Sequence, residues 1–560
     1  MSKERFYVNR RKFLKGVGLS VGTAYATSAG LPVFAQGGPS ITAALWQEPE
    51  NLNPYLAIQT VSRIVRKRIL EGLYRVNPQG EFVPVLAKSI PTVANGGVVV
   101  EGGGMTVTVE LLDDVTWSDG TPVTSSDIAF TWQVVMDDAN PVKSRDGYEL
   151  IEDIDTSDPQ KAVIRFSEVY GPYLTLFADV DAVLPQHVLG STDVSRSEFN
   201  RAPVGTGPFQ FVRWESGAFI ELEANPNYRE AGKPLADKLI FAIVPSREVA
   251  AAQLKTGQAD AMWNLIETQI PEFQALSDVN LLVTPSSNLE YLGLNLSDPG
   301  SISDGFTDPN SSHPVLGDPA VRQAIAMAIN KQEIVDQLFG GLTSTAVSPI
   351  SPFHWAHDPT VEPPGFDPNG ARQLLNDAGW EEGPGSVRVK DGIRMDLRIM
   401  TTTGDKLRLS TQQVVQQNLL DVGINVQITN VPSAVLFSGT GPLQSGDYDI
   451  AEDTWGPDLD PAGFLSILFS SNSLPPNGWD FFRINNPELD SAIEQGNAAL
   501  DRADRLPHYQ RAQQLIMESG AYIPLYNRAL INAFNSSVSG VIEGGNPWDD
   551  FAWDAENWSK

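Results

Sequence analysis

The sequence of 560 residues contains no cysteine. This absence excludes thiol nucleophiles, disulfide frameworks and cysteine-based zinc sites. Basic residues are also few, because 39 Lys and Arg stand against 69 Asp and Glu, a formal net charge of -30. Since phosphate binding requires a basic face, nucleic acid is not expected as a partner. Without disulfides, stability must come from a buried core. A chain of this length predicts two or three domains.

Motifs of catalysis are missing as well. There is no H-E-x-x-H, and no Walker A loop, because Lys233 is followed by Pro234. The G-x-S-x-G match at 18–22 lies inside an apolar leading stretch and is a chance match. Of the five histidines only His354 and His357 are close together, in a Pro-rich loop where a surface position is the default and a metal site the alternative. We therefore expect no enzyme, no cofactor and no metal.

Acidic residues crowd one short segment around a tryptophan. A calcium loop is the first interpretation, but the D-x-D-x-D-G order is missing and two prolines restrict the backbone. A carboxylate pair of the glycosidase type is the second, although with 69 acidic residues close pairs arise by chance. The members of this run are Asp447, Asp449, Glu452, Asp453, Asp458 and Asp460.

The N-terminal segment has the form of an export signal. Arg10 and Arg11 precede a charge-free stretch over 16–47, and small residues at 33–35 offer a cleavage site near Ala35. This arrangement resembles a twin-arginine signal, which implies the translocase for folded proteins as a partner during export. An uncleaved membrane anchor is the alternative, disfavoured by the Gly, Ser and Thr in the stretch. Without cysteine no lipid anchor is possible, so a soluble periplasmic or extracytoplasmic protein is expected.

Hydrophobic periodicity predicts two βαβ units. In the first, a β-rich run at 238–244 precedes a helix at 246–256 that begins at a Ser cap, and extended chain resumes at 259–263. In the second, apolar residues alternate near 395–399, follow helical spacing over 407–422, and alternate again at 424–428. Since a parallel pair requires a buried sheet, we expect each unit to have its own sheet.

Two further segments complete the outline. A long helical stretch runs from Asp318 through Phe339, with Asn330 and Glu333 spaced as a capping box. The block from Glu81 to about Phe166 is rich in strands and Gly turns, which predicts a smaller inserted domain.

Several segments, in order, resemble the solute-binding proteins of peptide-type ATP-binding-cassette importers, often called family 5. Each motif alone is weak, but their joint order over nearly the whole chain is specific. Most are scaffold, such as the packed turn around Trp117. The segments are 48–54, 70–73, 86–89, 117–122 with 126–127, 205–209, 225–228, 318–334, 371–380 and 486–490.

The resemblance implies an α/β, two-lobed periplasmic-binding-protein fold of type II, the large peptide-binding class, with an additional β-rich subdomain. We expect a signal at 1–35, a discontinuous lobe I, an inserted subdomain at 81–204, and lobe II at 286–525. Lobe I would combine residues 37–80, 205–285 and 526–560.

The resemblance also implies ligand contacts. In peptide-binding members an aspartate three residues after a tryptophan pairs with the α-ammonium of the peptide, and Asp458 stands in that position after Trp455. A turn-forming role is the alternative for Asp458. The chain at 57–60, with Ile58 and Thr60, corresponds to an extended edge along the ligand. Candidates for apolar walls are Trp455, Trp479, Trp263 and Tyr291, each of which competes with a purely structural position in the core.

The function implied is that of a monomeric receptor that closes around a peptide by hinge motion and delivers it to the membrane permease of an importer. The same fold bound to an oligosaccharide, or to a nickel chelate through His354 and His357, is the alternative. A hydrolase or an adhesive protein is a third and weaker hypothesis.

Overall fold

The computed structural model describes residues 39–57, 59–178, 180–476 and 478–560. The predicted export signal, with Arg10, Arg11 and the cleavage site near Ala35, lies outside these residues, and so does Ile58. Within the described ranges, no helix has both the length and the apolar character needed to cross a bilayer.

The strands form one large sheet and three small ones. A ten-stranded sheet has the order β17-β16-β18-β12-β19-β11-β1-β10-β9-β8, and the smaller sheets have the orders β4-β5-β7-β6, β13-β14-β15 and β2-β3. The strands are β1 Ser40–Leu45, β2 Tyr74–Val76, β3 Phe82–Pro84, β4 Val98–Glu101, β5 Gly104–Glu110, β6 Ile151–Asp158, β7 Lys161–Phe166, β8 Phe209–Glu215, β9 Phe219–Ala224, β10 Lys238–Ile243, β11 Ala261–Met262, β12 Val279–Leu294, β13 Glu381–Glu382, β14 Arg388–Lys390, β15 Ile393–Arg394, β16 Asp396–Met400, β17 Asn425–Ile428, β18 Ile450–Trp455 and β19 Tyr522–Asn535.

The α-helices pack around these sheets, with short 3-10 turns between them. They are α1 Thr60–Arg66, α2 Ser125–Met136, α3 Gln186–Leu189, α4 Arg247–Lys255, α5 Ile270–Gln274, α6 Pro319–Ala328, α7 Lys331–Phe339, α8 Pro368–Asp377, α9 Lys406–Asp421, α10 Ser433–Leu436, α11 Pro442–Ser445, α12 Ala462–Phe469, α13 Pro487–Ala498 and α14 Arg502–Ser519.

Both predicted βαβ units are present. β10, α4 and β11 form the first, with Ser246 Oγ accepting from Val249 N at 3.4 Å as the cap of α4. β1 lies between β10 and β11 and is parallel to both. β16, α9 and β17 form the second, as a directly paired parallel unit. The long helical stretch is divided in two, because Asn330 interrupts it and caps α7 through a bond from Glu333 N at 3.2 Å.

The expectation that each unit has its own sheet is wrong. Both units belong to the single ten-stranded sheet, because the long strands β12 and β19, with 16 and 14 residues, pair with each other and connect β11 of the first unit to β18, which pairs with β16 of the second. β19 pairs with β11, and β12 pairs with β18. Periodicity along the sequence shows which residues are strands but not which strand edges are joined over a distance.

The paired strands β12 and β19 contain an irregularity near their middle. The register between them shifts between Pro285 and Leu289, so the residues in between leave the ladder. The segment of β12 before the shift pairs with the part of β19 that also pairs with β11 of the first unit, and the segment after it pairs with β18, the neighbour of β16 in the second unit. This bulge is the natural place for a bend between two lobes, and it coincides with the predicted boundary at 285 and 286, which remains a prediction.

The buried apolar side chains gather in four clusters. One joins β1, α1, the four-stranded sheet β4-β5-β7-β6 and the C-terminal segment near Trp558. The inserted β-rich block therefore shares a continuous core with the predicted lobe I. A second cluster lies under α4 and β11, and the remaining two lie between residues 289 and 526. This distribution is in line with two lobes that meet at β12 and β19.

Candidate ligand-binding cleft

Strand direction places the carboxyl ends of the two halves of the sheet opposite each other. β12 runs from the first half toward the second, and β19 runs antiparallel to it. β11 and β1 are antiparallel to β19, so they point toward the second half, whereas β18 and β16 are antiparallel to β12 and point back toward the first. In open α/β sheets ligands bind outside the carboxyl ends of the strands. The region between these facing ends is therefore the candidate cleft.

Electrostatic contacts across the bulge confirm this facing arrangement. Burial lowers the pKa of Arg528, on β19, but Glu290 in the second half and Glu267 in the first both raise it, and the net shift is upward. The pKa of Glu248, at the start of α4, is lowered by the Ser246 hydroxyl first and also by the charge of Lys406 at the start of α9. Charges of the two halves are thus within interaction distance at the cleft.

The lobe I face of the cleft is aromatic. Trp46 follows β1 and Trp263 follows β11, and the two indoles stack with centroids 5.0 Å apart and planes within 10°. Trp263, one of the predicted wall residues, is only 7% exposed, so little more than its edge reaches the cleft. Trp46 is half-buried, and its buried Nε1 has no hydrogen-bond partner among the described residues. Sequence analysis missed Trp46, although it follows β1 as Trp263 follows β11.

On the lobe II face, β18 ends at Trp455 and turns sharply. Gly456 permits the turn, because a Cβ at this position would lie 1.9 Å from the carbonyl oxygen of Ser287, within the bulge of β12. The half-buried indole of Trp455 contacts Phe464 edge-on, at a centroid distance of 6.4 Å. A close approach of backbone to backbone thus fixes the exit of β18 against the hinge.

The residues after this turn are held through their backbone. The carbonyl of Asp458 accepts a bond from His354 Nε2 at 3.0 Å, and that of Leu459 accepts one from Trp355 Nε1 at 2.7 Å. The Asp458 side chain is exposed, and among the described residues its carboxylate has neither a hydrogen bond nor an ion pair. Asp460 differs, because Arg505 binds its two oxygens at 2.6 and 2.7 Å. A fixed backbone therefore presents one free carboxylate.

The other predicted wall residues occupy different environments. Trp479 is half-buried at the edge of a core cluster, with Phe437 at a centroid distance of 6.4 Å. Tyr291 is fully buried and stacks on Tyr522 at 4.7 Å. Its burial favours the structural position in the core, and the role of Tyr291 as a wall of the cleft stays a prediction.

Thr60 is exposed, but it is not part of an extended edge. It is the first residue of α1, and Gln59 before it has an extended backbone, with φ -59 and ψ 138. Ala57 is buried. The extended chain predicted for this segment therefore ends one residue earlier than expected.

The two neighbouring histidines serve structural roles. His354 accepts a bond from Ala356 N at its Nδ1 and donates from Nε2, and burial lowers its pKa to about 4. His357 uses Nδ1 to donate to the carbonyl of Ile350 at 2.8 Å. Across the described part of the chain, no group of three or more His, Cys, Asp or Glu is arranged to hold a metal ion.

The acidic run around Trp455 is dispersed by the fold. Asp447 and Asp449 pair with Arg398, and Asp449 also contacts His313 at 3.1 Å. Glu452 and Asp453 lie on β18, in a buried cluster near the hinge. A shared calcium loop is therefore not formed, because the strand and its flanking turns direct these carboxylates to different partners.

That buried cluster is a group of charges that the sequence did not indicate. Arg408, from the first turns of α9, donates to Glu290 at 2.7 Å and to Asp453 at 3.2 Å. Thr454 donates to the other oxygen of Glu290. Burial, opposed by Arg408, raises the pKa of Asp453 to about 6. The cluster ties β12, β18 and α9 together at the inner edge of the cleft.

Glu452 completes this cluster in an unusual state. It is 1% exposed, and neither carboxylate oxygen has a hydrogen-bond partner among the residues described. Burial first, and then the charge of Glu290, raises its pKa well above the ordinary value. Burial without a partner thus favours the neutral form of Glu452.

A shared sheet, a central bulge and facing strand ends define a two-lobed solute-binding protein. The model of the family described as bacterial extracellular solute-binding proteins, family 5 Middle, matches residues 81–475. The chain belongs to this family, as the sequence predicted. The members it matches are solute-binding proteins, which agrees with the expectation that the chain is not an enzyme.

Relatives cover nearly the whole chain. The oligopeptide-binding protein AppA of Bacillus subtilis (strain 168) is 26% identical over 506 residues, 89% of this chain and 87% of AppA. The glutathione-binding protein GsiB of Escherichia coli (strain K12) is 25% identical over 533 residues, 94% of this chain and 95% of GsiB.

Solved structures confirm the predicted fold class. HbpA2 from Haemophilus parasuis matches with a TM-score of 0.76 at 20% identity, covering 93% of this chain and 99% of HbpA2. NikZ from Campylobacter jejuni, in complex with Ni(L-His), matches with a TM-score of 0.68 at 24% identity, covering 94% of this chain and all of NikZ. AppA from Bacillus subtilis, in complex with a nonapeptide, matches with a TM-score of 0.65 at 24% identity, covering 94% of this chain and 99% of AppA.

Proposed function

We propose that this protein captures peptides outside the cytoplasm and delivers them to the membrane permease of an ATP-binding-cassette importer. The observation that carries the proposal is the exposed carboxylate of Asp458, which a fixed backbone presents at the end of β18. An ammonium group facing it would form a charge-assisted hydrogen bond, which supports the α-amino group of a peptide as ligand. The names of AppA and GsiB, an oligopeptide-binding and a glutathione-binding protein, point to the same class of solute.

Delivery would proceed by hinge closure. A ligand shifts the lobes only by its differential affinity for the closed form, so it must contact both faces of the cleft. The stacked Trp46 and Trp263 on one side, and Trp455 with Asp458 on the other, are the groups that we propose make these contacts. β12 and β19 would bend at their bulge, since this is where the ladder is already interrupted.

The cellular route is part of the proposal. The chain would leave the cytoplasm through the twin-arginine translocase, lose its signal near Ala35 and act as a soluble monomer. The absence of cysteine supports release without a lipid anchor.

Thermal shift with three sets of solutes tests the class of ligand. Mixed di- to octapeptides should raise the melting temperature, whereas cello-oligosaccharides and nickel with free histidine should not. If only the sugar or only the nickel complex raised the melting temperature, that solute and not a peptide would be the ligand. Nickel binding through His354 and His357 is disfavoured, because hydrogen bonds already occupy His354 at both ring nitrogens and His357 at Nδ1.

The role of Asp458 has a sharper test. Asp458→Asn should weaken binding of peptides with a free α-amino group by about 10-fold or more, and leave N-acetylated peptides unaffected. Asp447→Asn, on an exposed carboxylate of the same acidic run, is the matched control. Equal losses for free and acetylated peptides would refute the ammonium role.

A further inference from the structure

A polar cavity, separate from the cleft described above, lies where the segment after β1 meets the inserted subdomain. Its volume of about 120 Å³ is several times larger than one water requires. It therefore has room for a carboxylate-sized group. The lining residues that matter are Tyr55, Arg63, Arg66, Lys143, Asp146 and Asp181.

The cavity is positively charged in a strongly acidic protein. Among the described residues, Arg63, Arg66 and Lys143 line it together with the carboxylates of Asp146 and Asp181, whereas the whole chain has a formal net charge of -30. Basic groups that are concentrated at one place in an otherwise acidic protein attract anions there.

The two arginines have different roles. Arg66 is 2% exposed and donates from Nη1 to the carbonyl of Ala57 at 2.5 Å and from Nη2 to that of Val180 at 3.4 Å. Arg66 thus fixes the wall of the cavity and contributes charge. Arg63 lies one turn earlier on α1, and its buried Nε has no hydrogen-bond acceptor among the described residues. A buried donor without an acceptor is costly, and an anion in the cavity would supply the acceptor.

Asp181 does not fill this need. Its backbone carbonyl accepts a bond from the Tyr55 hydroxyl at 2.9 Å, but no ion pair joins its carboxylate to Arg63 or Arg66 within the described ranges. Burial raises the pKa of this carboxyl to about 6, although both arginines oppose the shift. The carboxylate therefore lowers the positive potential of the cavity without contacting the guanidinium groups.

The chain connects this cavity to the cleft side of lobe I. The chain that leaves the carboxyl end of β1 at Trp46 leads directly to Tyr55 and then to α1. Asp458 belongs to the opposite lobe. A solute with an ammonium at Asp458 and an anion in this cavity would contact both lobes, as closure requires.

We propose that this cavity is a carboxylate subsite for the solute, in which Arg63 donates to the anion and Arg66 and Lys143 supply further positive charge. The inference rests on the proposed function, since it concerns the same bound solute. The carboxylate is either the C-terminus of a peptide or an acidic side chain. Both offer the same pair of acceptor oxygens.

Affinity selection with a defined library tests the subsite and distinguishes the two sources. The mature protein, purified after export, is incubated with di- to octapeptides, and retained peptides are identified by mass spectrometry. Each peptide is present as free acid and C-terminal amide, and each Glu-containing peptide is matched by its Gln counterpart. A preference of about 10-fold or more for free acids identifies the C-terminus, and the same preference for Glu over Gln identifies a side chain.

Three variants tie the preference to the cavity. Arg63→Gln should abolish it, and Asp181→Asn should strengthen binding of the preferred acids, because it removes a negative charge from the cavity. Opposite effects from two neighbouring substitutions are not expected of residues with a merely structural role. Arg165→Gln is the matched control, since Arg165 lies on β7 of the inserted subdomain and pairs with Asp153 at the surface.

The outcomes separate this inference from the proposed function. Retention of peptides without any preference for a carboxylate, or a preference that survives Arg63→Gln in a folded variant, overturns the subsite and leaves peptide capture intact. If Arg63→Gln does not fold, an unchanged affinity in Asp181→Asn overturns it instead. Retention of no peptide at all by the unmodified protein removes the proposed function and this inference together.

Discussion

The two faces of the cleft are built from different chemistry. On the lobe I face, Trp46 and Trp263 stack as neutral aromatic rings. On the lobe II face, Glu290, Arg408 and Asp453 form a buried ionic cluster behind the exposed end of β18. The aromatic face offers apolar area that tolerates many ligands. The ionic cluster satisfies its own charges, so its role is to hold strand ends in place rather than to bind.

The largest loss of stability is expected when a charge is removed from the ionic cluster. Glu290→Gln leaves the buried guanidinium of Arg408 with a weaker partner and should lower the free energy of unfolding by about 3 to 5 kcal/mol. Urea denaturation followed by circular dichroism measures the loss.

Glu452→Gln is the matched control for this substitution. Burial raises the pKa of Glu452 well above its ordinary value, which favours the neutral side chain, so replacing it by the neutral amide should cost less than about 1 kcal/mol. Similar losses of stability for Glu290→Gln and Glu452→Gln would show that Glu452 is ionised like Glu290.

The aromatic face should respond to loss of packing instead. Trp263→Ala removes a nearly buried indole from its stack on Trp46 and should lower the free energy of unfolding by about 3 kcal/mol. Trp479→Ala, at a half-buried ring, should cost clearly less. An equal loss at both positions would contradict the assignment of Trp263 to the core of lobe I.

Buried carboxyls in both halves of the molecule should make stability depend on pH. The carboxyls of Asp453, Asp181 and Asp554 have pKa values raised to about 6, against an ordinary value of 3.8, and that of Glu452 is raised further. The folded protein binds these protons more tightly than the unfolded chain does, so stability falls as pH rises from about 4 through 6. His354 opposes this trend, because its pKa is lowered to about 4.

The four carboxyls outweigh the single histidine. Stability should therefore be about 2 kcal/mol greater at pH 5.5 than at pH 7.5. Urea midpoints at the two pH values measure the difference, and in Glu452→Gln the difference should shrink. A protein that is less stable at pH 5.5 would contradict the protonated state of the lobe II cluster.

The smallest effect is expected at the rim of the cleft. Asp458→Asn should change the free energy of unfolding by less than about 0.5 kcal/mol, because the carboxylate has no partner among the described residues. Asp460→Asn should cost about 1 to 3 kcal/mol, since it breaks the two bonds from Arg505. A large loss for Asp458→Asn would assign that residue to the turn rather than to the ligand.

Much of the local structure was predictable. The caps of α4 and α7 lie at Ser246 and Asn330 as the sequence indicated, because a cap depends on residues only three positions apart. Asp458 was singled out through a motif of four residues. Its presentation by His354, 104 positions away in sequence, was not predictable, because no periodicity links residues so far apart.

The sequence by itself determined the family, the strand and helix pattern and the absence of thiol chemistry, since these depend on residue type and short spacing. The tertiary structure alone decided that the two βαβ units share one sheet, that Tyr291 is buried, and that Glu290 and Arg408 meet across 118 positions. It also brought Arg63 and Asp181 to one cavity. Such pairings join residues that are far apart in the sequence. They form only when the long strands β12 and β19 pair with their neighbours, and that pairing depends on the whole fold.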